Sequence, residues 1–285
     1  MERRIASLGI FVLLFVAVSS AQVLAPASQF PVLLNFSDGS DTPDAAPRLD
    51  LSVNAPRPRM APELALATYF DLARRQLAEL GSYSDQTTVD ADLPDSSQHG
   101  NYQLRRTYQA PSTLAFAAIR FVGDGFVKTN VITRLLQSEV DHVEKGEGAR
   151  TAITSENYKF NYKGADVLAD GTQVYVFNVK PRQKRVGLFK GRICIDALSG
   201  HLRRAEGTMV KSPSFFLKKL EFFQDYTVVG QFSLPAYVYS KANTRLFGRA
   251  IVTIFHDRYD AKSMAELYRQ ATAAASAPGS APGSN

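Results

Sequence analysis

Few side chains in this 285-residue sequence are suited to nucleophilic, acid–base or metal chemistry, since it contains one cysteine and four histidines. The histidines are scattered, and there is no Gly-x-Ser-x-Gly elbow, His-Glu-x-x-His pair, phosphate-binding Gly-x-x-x-x-Gly-Lys loop or dinucleotide fingerprint. A hydrolase would require two of the following groups to converge in the folded chain: Cys194, His142, His201 and His256. The sequence therefore predicts a protein that is not an enzyme.

One pair of residues has the spacing of a metal site. Glu139 and His142 lie three positions apart on a predicted helix, a spacing that can direct both side chains to one metal ion. A second pair is missing, so we interpret both residues as surface hydrogen-bonding groups. Cys194 lies between Ile193 and Ile195 in an alternating pattern, and we interpret it as a small buried side chain. No metal and no cofactor are expected.

Three aspartates resemble part of a calcium-binding loop. They are Asp90, Asp92 and Asp95, but Pro94 and the lack of a glycine and a distal glutamate break the calcium pattern. We therefore predict a solvated loop at this position.

The charge balance favours contact with anionic surfaces over nucleic-acid binding. The chain has 33 basic and 27 acidic residues, and its cations are not gathered on a recognition helix. One cluster is free of acidic residues over thirteen positions, and it consists of Lys180, Arg182, Lys184, Arg185, Lys190 and Arg192. These residues are interpreted as outward positions that keep a sheet edge from aggregating. The alternative is transient contact with anionic lipid headgroups or with an acidic envelope protein.

The two ends of the chain differ in composition from its middle. A basic pair, an apolar run and the small residues at 19–21 are typical of a cleaved signal peptide without a cysteine for lipid anchoring. The following stretch is rich in proline, and the last residues repeat Ala-Pro-Gly-Ser. The predicted organisation is a signal peptide (1–21), a flexible Pro-rich leader (22–61), one folded domain (62–270) and a disordered tail (271–285).

The middle of the chain has helical periodicity twice and strand periodicity many times. An amphipathic helix is predicted from Pro62 to Gly81, and a second helix has Ile132, Leu136, Val140 and Val143 on one face. A capping box at 263–266 predicts a short last helix. Strand patterns recur about every ten residues from Tyr102 onward. The prediction is an α+β domain, a broad curled antiparallel sheet with helices on its concave face.

An apolar segment occurs where a loop is expected. Phe215, Phe216 and Leu217 follow Pro213 and precede two lysines. Ordinary core packing is one interpretation. The other is that these rings line the mouth of a lipid cavity or enter a membrane face.

Several short motifs carry a resemblance to a known family. They are FKGRICID at 189–196, RRAEG at 203–207, FQDY at 223–226, FSLP at 232–235 and IFHDRY at 254–259. Together with the order of elements over about 62–260, they resemble the LolA-like superfamily of periplasmic carriers of outer-membrane lipoproteins. The resemblance implies an unclosed half-barrel that binds acyl chains without catalysis, and a location in the periplasm.

The resemblance also implies which residues face the ligand. An apolar cavity would be lined by aromatic and β-branched side chains of the sheet and covered by the second helix. The candidates are Phe116, Ile119, Phe121, Tyr175, Phe177 and Val179 on the sheet, Ile132, Leu136 and Val140 on the lid, and Phe215 and Phe216 at the mouth.

The leading hypothesis is an exported binding protein that holds the acyl chains of a lipoprotein or lipid, in lipoprotein sorting or lipid transport. The alternative is an envelope sensor or scaffold that uses the same fold to bind a protein partner. The alternative is favoured if the half-barrel is filled by its own side chains.

Overall fold

The computed structural model describes residues 60–212, 217–245 and 248–276. The predicted signal peptide, nearly all of the leader, the last part of the tail, and Phe215 and Phe216 lie outside the described residues.

The described strands form one sheet in which every pairing is antiparallel. The strands are β1 (Leu80–Leu93), β2 (Gln98–Gln109), β3 (Thr113–Gly123), β4 (Tyr158–Val167), β5 (Gln173–Pro181), β6 (Phe189–Asp196), β7 (Leu202–Met209), β8 (Leu217–Val229), β9 (Phe232–Thr244) and β10 (Arg249–Ser263). Their spatial order is β3-β2-β1-β10-β9-β8-β7-β6-β5-β4, so β3 and β4 are the two edges. Because these edges do not pair with each other, the sheet stays open, as predicted.

The described helices occupy four places in the chain. They are α1 (Pro62–Glu79), a 3₁₀-helical turn between β1 and β2 (Pro94–Ser96), the run of α2 (Gly125–Val127), a π-helical stretch (Lys128–Ile132), α3 (Thr133–Glu144) and α4 (Gly148–Thr151), and α5 (Met264–Ser276). Pro62 begins α1 at a position where its missing N–H is not needed. The predicted capping box is confirmed, since the Glu266 carboxylate accepts the Ser263 N–H at 2.7 Å. None of the helices in the described ranges is long and apolar enough to cross a membrane.

The chain from β3 to β4 crosses the open side of the sheet. It leaves one edge strand, runs through α2, α3 and α4, and enters the opposite edge strand. The first helix, α1, contacts β6 and β9, while α3 contacts β3. The helices therefore cover the concave face, and the predicted α+β half-barrel is confirmed.

Strand β1 was not recognised in the sequence. The solvated loop predicted at Asp90 and Asp92 is wrong, because both residues lie in this long strand between β2 and β10. Its alternating inward face contains the polar residues Asp85 and Thr87, which interrupt the hydrophobic pattern that identifies a strand.

The buried face of α3 is rotated from the predicted one. Leu135, Ser138, Glu139 and His142 are buried on this helix, whereas Leu136 and Val140 are half-buried. The interpretation of Glu139 and His142 as surface groups is therefore wrong. Glu139 points inward because a buried arginine on the sheet requires its carboxylate.

Candidate functional site

A cavity of about 300 Å³ lies between α1, the chain around α4 and the concave face of the sheet. Its lining residues on α1 and the start of β1 are Tyr69, Ala73, Gln76, Leu77 and Leu80. Its lining residues from the end of α3 through α4 are His142, Val143, Gly146, Gly148, Ala149, Thr151, Ala152 and Ile153. The remaining lining residues are Tyr108, Pro111, Leu202 and Tyr226.

The lining combines apolar surface with hydrogen-bonding side chains. Tyr69 donates its hydroxyl to the Ile153 carbonyl at 3.0 Å, which ties α1 to the chain after α4. The Gln76 side chain accepts the Ser233 N–H at 3.2 Å and so joins α1 to β9. None of the described lining residues is a lysine, arginine, aspartate or glutamate. The volume is at the small end of the range of about 300–1,000 Å³ typical of small-molecule pockets.

A buried charge cluster lies beside this cavity and joins α3 to the sheet. Arg106 on β2 is fully buried, and its Nε donates to Asp85 Oδ2 on β1 at 2.7 Å. Its Nη1 donates to Glu139 Oε1 on α3 at 2.9 Å, and its Nη2 donates to the Tyr259 hydroxyl at 2.9 Å. The guanidinium carbon lies 5.0 Å from the centre of the Tyr83 ring. The N–H donors of a guanidinium lie in one plane and point in several directions. Arg106 can therefore bind side chains of two other strands and one helix at the same time.

The two carboxylates of this cluster have opposite pKa shifts. Burial alone would raise the pKa of Asp85, but Arg106, His256 and Thr87 together lower it to about 2. Burial raises the pKa of Glu139, and Asp85 adds to this effect, against the attraction of Arg106. One arginine therefore faces two carboxylates, and Asp85 is the more firmly ionised of the two.

His256 completes the cluster as a neutral side chain. Its Nδ1 lies 3.0 Å from the Thr87 hydroxyl and 3.2 Å from Asp85 Oδ1. Burial and the charge of Arg106 lower the pKa of His256 to about 4, although Asp85 opposes this shift. The imidazole is thus a hydrogen-bonding group near neutral pH, and the cluster has the character of a structural ion network.

Arg106 was missed as a site residue, although the sequence contained a signal for it. It alternates with Tyr102, Leu104 and Tyr108 on one face of β2, and that face is the concave one. A charged residue at a position where a strand otherwise has apolar side chains on the same face predicts a buried ion pair. Its partners could not be predicted, because Asp85 and Glu139 come from other elements.

The residues predicted to face the ligand lie in three separate places. On edge strand β3, Phe116 and Phe121 are half-buried and Ile119 is 55% exposed. On the helical segment, Ile132 is buried in a core cluster, Leu136 packs against that cluster, and Val140 is half-buried. On β5, Tyr175, Phe177 and Val179 are buried in the cluster that α1 covers. None of these residues is among those lining the 300 Å³ cavity.

The basic cluster lies at one end of β5 and β6 and on the loop between them. Lys180, Arg182, Lys184 and Lys190 are exposed, and we call these four residues the basic face. Arg192 is half-buried and forms an ion pair with Glu206 on β7. Lys159 on β4 pairs across the strands with Lys180 and adds a further exposed cation.

Asn157 connects the loop of the basic face to the wall of the cavity. Arg185 donates to the Asn157 side-chain oxygen at 2.9 Å. The Asn157 amide group in turn donates to the carbonyls of Ala149 and Ala152 at 3.0 and 2.9 Å, and both of these residues line the cavity. The loop and the cavity wall are therefore parts of one hydrogen-bonded structure.

Cys194 lies apart from the histidines in the hydrogen bonds of the described structure. Cys194 packs with Val174 and Val176, on the opposite face of β6 from the core residues Ile193 and Ile195. Burial raises the pKa of its thiol to about 12, so it is not an activated nucleophile. No hydrogen bond between the described residues joins Cys194 to a histidine.

No protein-family model matches the chain, and no curated protein matches it in sequence. Among solved structures, it is similar to a LolA superfamily protein from Nitrosomonas europaea, with 9% identity, TM-score 0.34, and coverage of 70% of this chain and 92% of that one. It is also similar to an outer membrane lipoprotein-sorting protein domain from Vibrio parahaemolyticus, with 12% identity, TM-score 0.34, and coverage of 67% and 91%. A DUF1329 family protein from Desulfovibrio piger matches with 11% identity, TM-score 0.32, and coverage of 69% and 93%. The likeness of the chain to these structures is one of fold.

Proposed function

We propose that this protein is an exported, non-enzymatic binding protein of the periplasm that holds an acyl chain of a lipoprotein or lipid. The acyl chain would lie in the cavity between α1, the segment around α4 and the concave face of the sheet. The observation that carries this proposal is the cavity itself, which has a mostly apolar lining and is covered by two helical segments. Hiding a chain from water in this way is worth about 0.8 kcal/mol per methylene group.

A further feature supports a carrier. The helical segments that cover the cavity lie outside the strands, so they can move without breaking strand pairings.

The proposal is tested by filling the cavity. Ala73 lines the cavity from α1 and is half-buried, so Ala73→Phe places an aromatic ring in the space that the acyl chain would occupy. We expect protein purified gently from its own envelope to carry lipid in native mass spectrometry, and Ala73→Phe to lose it.

The control is Ala78→Phe, which adds the same ring to an exposed position of the same helix. Lipid retention by Ala78→Phe, with loss from Ala73→Phe, supports the cavity. Wild-type protein free of lipid, or equal lipid in both variants, would overturn the proposal.

The basic face is proposed to contact anionic membrane surfaces during loading or release. Its lysines have no ion pair among the described residues, and its loop is bonded to the cavity wall through Asn157. Each exposed cation near an anionic surface contributes about 1 kcal/mol at low salt. Replacing Lys180, Lys184 and Lys190 by serine should weaken binding to phosphatidylglycerol vesicles by about a hundredfold at low salt, and added salt should weaken wild-type binding.

The matched control removes three exposed cations elsewhere, at Arg105, Lys145 and Arg269. The membrane contact would be ruled out by equal losses in the two triple variants, or by equal binding to neutral vesicles.

The second candidate function is an envelope sensor or scaffold that binds a protein partner. It is favoured by the extent to which the half-barrel is filled by its own side chains, with two core clusters under the helices. Capture of a specific envelope protein by the chain, unaffected by Ala73→Phe and abolished by the lysine triple variant, would favour this function over the carrier.

A further inference from the structure

Tyr226 has an unusual position on the floor of the cavity. It lies on β8, its side chain lines the cavity, and only 3% of the residue is exposed. Its hydroxyl has no hydrogen-bond partner among the described residues. Because nearly all buried polar groups in native proteins are hydrogen-bonded, a buried hydroxyl without a protein partner requires a ligand or an ordered water.

The neighbouring phenols are already engaged. Tyr69 donates its hydroxyl to the Ile153 carbonyl at 3.0 Å, and the Tyr158 hydroxyl accepts the Phe189 N–H at 3.2 Å. Burial, reinforced by these two tyrosines and by Asp225, holds the pKa of Tyr226 well above its usual value. The hydroxyl of Tyr226 is therefore protonated near neutral pH, and it is free both to donate and to accept one hydrogen bond.

The electrostatics of the cavity disfavour a charged ligand. A carboxylate or phosphate inside it would meet no lysine or arginine among the described lining residues, and an ammonium group would meet no acid. An ion buried without a partner is far more costly than a neutral group that makes one hydrogen bond. The basic face cannot compensate inside the cavity, because its residues do not line it.

The volume limits the length of the ligand. An apolar cavity of about 150 Å³ holds a benzene molecule, which has six carbon atoms. The cavity of about 300 Å³ therefore accommodates roughly a dozen carbon atoms, which is one chain or the end of one chain.

We infer that Tyr226 determines the specificity of the cavity, which selects an uncharged lipid with a hydroxyl or carbonyl oxygen placed at the Tyr226 hydroxyl. The apolar part of this ligand, of roughly twelve carbons, fills the space under α1. The inference rests on the proposed function, since it names the class of chain that the same cavity takes.

The test compares two probes with the same chain, 1-dodecanol and dodecanoate, by equilibrium dialysis of the labelled compounds at about pH 8, where the carboxylate is ionised. Wild-type protein should bind dodecanol at least about tenfold more tightly than dodecanoate, because only the alcohol is neutral. Tyr226→Phe removes one hydrogen bond and should weaken dodecanol binding by about fivefold, while leaving dodecanoate nearly unchanged.

The matched control is Tyr237→Phe, which removes a hydroxyl from β9 outside the cavity and should bind dodecanol like wild type. The comparison of dodecanol and dodecanoate binding by the wild-type protein needs no variant. It therefore remains informative if Tyr226→Phe is poorly folded.

The outcomes separate this inference from the proposed function. If wild type binds neither probe, both the chain-binding function and the role of Tyr226 are overturned. If it binds both probes equally, or if Tyr226→Phe binds dodecanol as tightly as wild type, only the role of Tyr226 is overturned. An ordered water would then satisfy the hydroxyl, and the cavity would remain a site for chains of any head group.

Discussion

The two halves of the concave face are stabilised by different interactions. In one half, which we call the charged half, Arg106 joins β1, β2 and β10 to α3 through Asp85, Glu139 and Tyr259. In the other, the aromatic half, α1 covers an apolar cluster on β5, β6 and β7 that includes Phe177 and Phe189. The cavity lies where the two halves meet, since Tyr108 and His142 line it from one side and Tyr69 and Tyr226 from the other.

The comparison shows that the two covering helices are held by different physical means. The contact of α1 depends on buried apolar area, which is insensitive to pH and tolerant of small shifts. The contact of α3 also includes apolar packing, through Leu135 and Leu136, but it adds a desolvated ion network whose members must all be present and correctly ionised. The charged half should therefore respond to pH and to single charge deletions, and the aromatic half only to changes of volume.

The largest effect is expected from Arg106→Met, which leaves Asp85 and Glu139 buried without a counter-charge. Loss of one member of a buried ion network costs about 3–5 kcal/mol of unfolding free energy. Urea denaturation of the wild-type and variant proteins measures this loss of unfolding free energy. Removing both acids as well, in Arg106→Met with Asp85→Asn and Glu139→Gln, should recover a large part of the loss. A single variant as stable as wild type would show that the network does not support the charged half.

The aromatic half should be most sensitive to lost volume. Phe189 is fully buried and its ring packs edge-on against Phe222, with centroids 4.9 Å apart. Phe189→Ala should lower the unfolding free energy by about 3 kcal/mol, through lost burial and the cavity that remains. The same loss is expected near pH 7 and near pH 5, so a loss that changes with pH would contradict the division between the halves.

The pH dependence of stability should come largely from His256. Its pKa falls from 6.5 to about 4 on folding, so the unfolded chain binds more protons between these values and the native state loses stability as the pH falls through this range. The loss attributable to His256, which faces Asp85, Thr87, Arg106 and Tyr259, is about 2–3 kcal/mol.

His256→Gln should flatten this pH dependence in denaturation curves recorded across that range. A shallower slope should remain, because burial also lowers the pKa values of His142 and His201. The control is His99→Gln at an exposed position of β2, which should keep the wild-type slope. A steep slope in His256→Gln would place the responsible group elsewhere.

The smallest effect concerns Gln224, which lies between the halves. Its neighbour on β7 is Ala205, which belongs to the apolar cluster of the aromatic half. Its neighbour on β9 is Val238, which belongs to the core cluster of the charged half. Both polar atoms of its buried side chain lack partners among the described residues. Gln224→Met should therefore be neutral or stabilise the protein by about 1 kcal/mol. A clear loss of thermal stability would indicate an ordered water bridging the two halves.

Much of the fold could be predicted because its patterns are local. Pro62 and the spacing of apolar residues after it identify α1, and the capping box at Ser263 identifies α5. The alternation from Tyr102 to Tyr108 identifies β2. These signals depend only on neighbours in the chain, which is why they can be recognised without a partner element.

The candidate site was far less predictable, for a physical reason. Both β1 and α3 present polar residues to the interior, namely Asp85 and Thr87 on one and Glu139 and His142 on the other. Such residues are normally exposed, so local rules place them in a loop or on the water face. They are buried only because Arg106, from a third element, neutralises them.

The α+β class, the antiparallel sheet and the first and last helices could be predicted from the sequence, because periodicity and capping act over a few residues. The packing of the folded chain decides which residues line the cavity, which face of α3 is buried, and that the Tyr226 hydroxyl at the cavity floor has no partner among the described residues. These properties depend on the register of strands far apart in the chain and on the matching of one buried arginine to its carboxylates. Partners of this kind are brought together by three-dimensional packing, and no periodic pattern in the sequence indicates which residues they are.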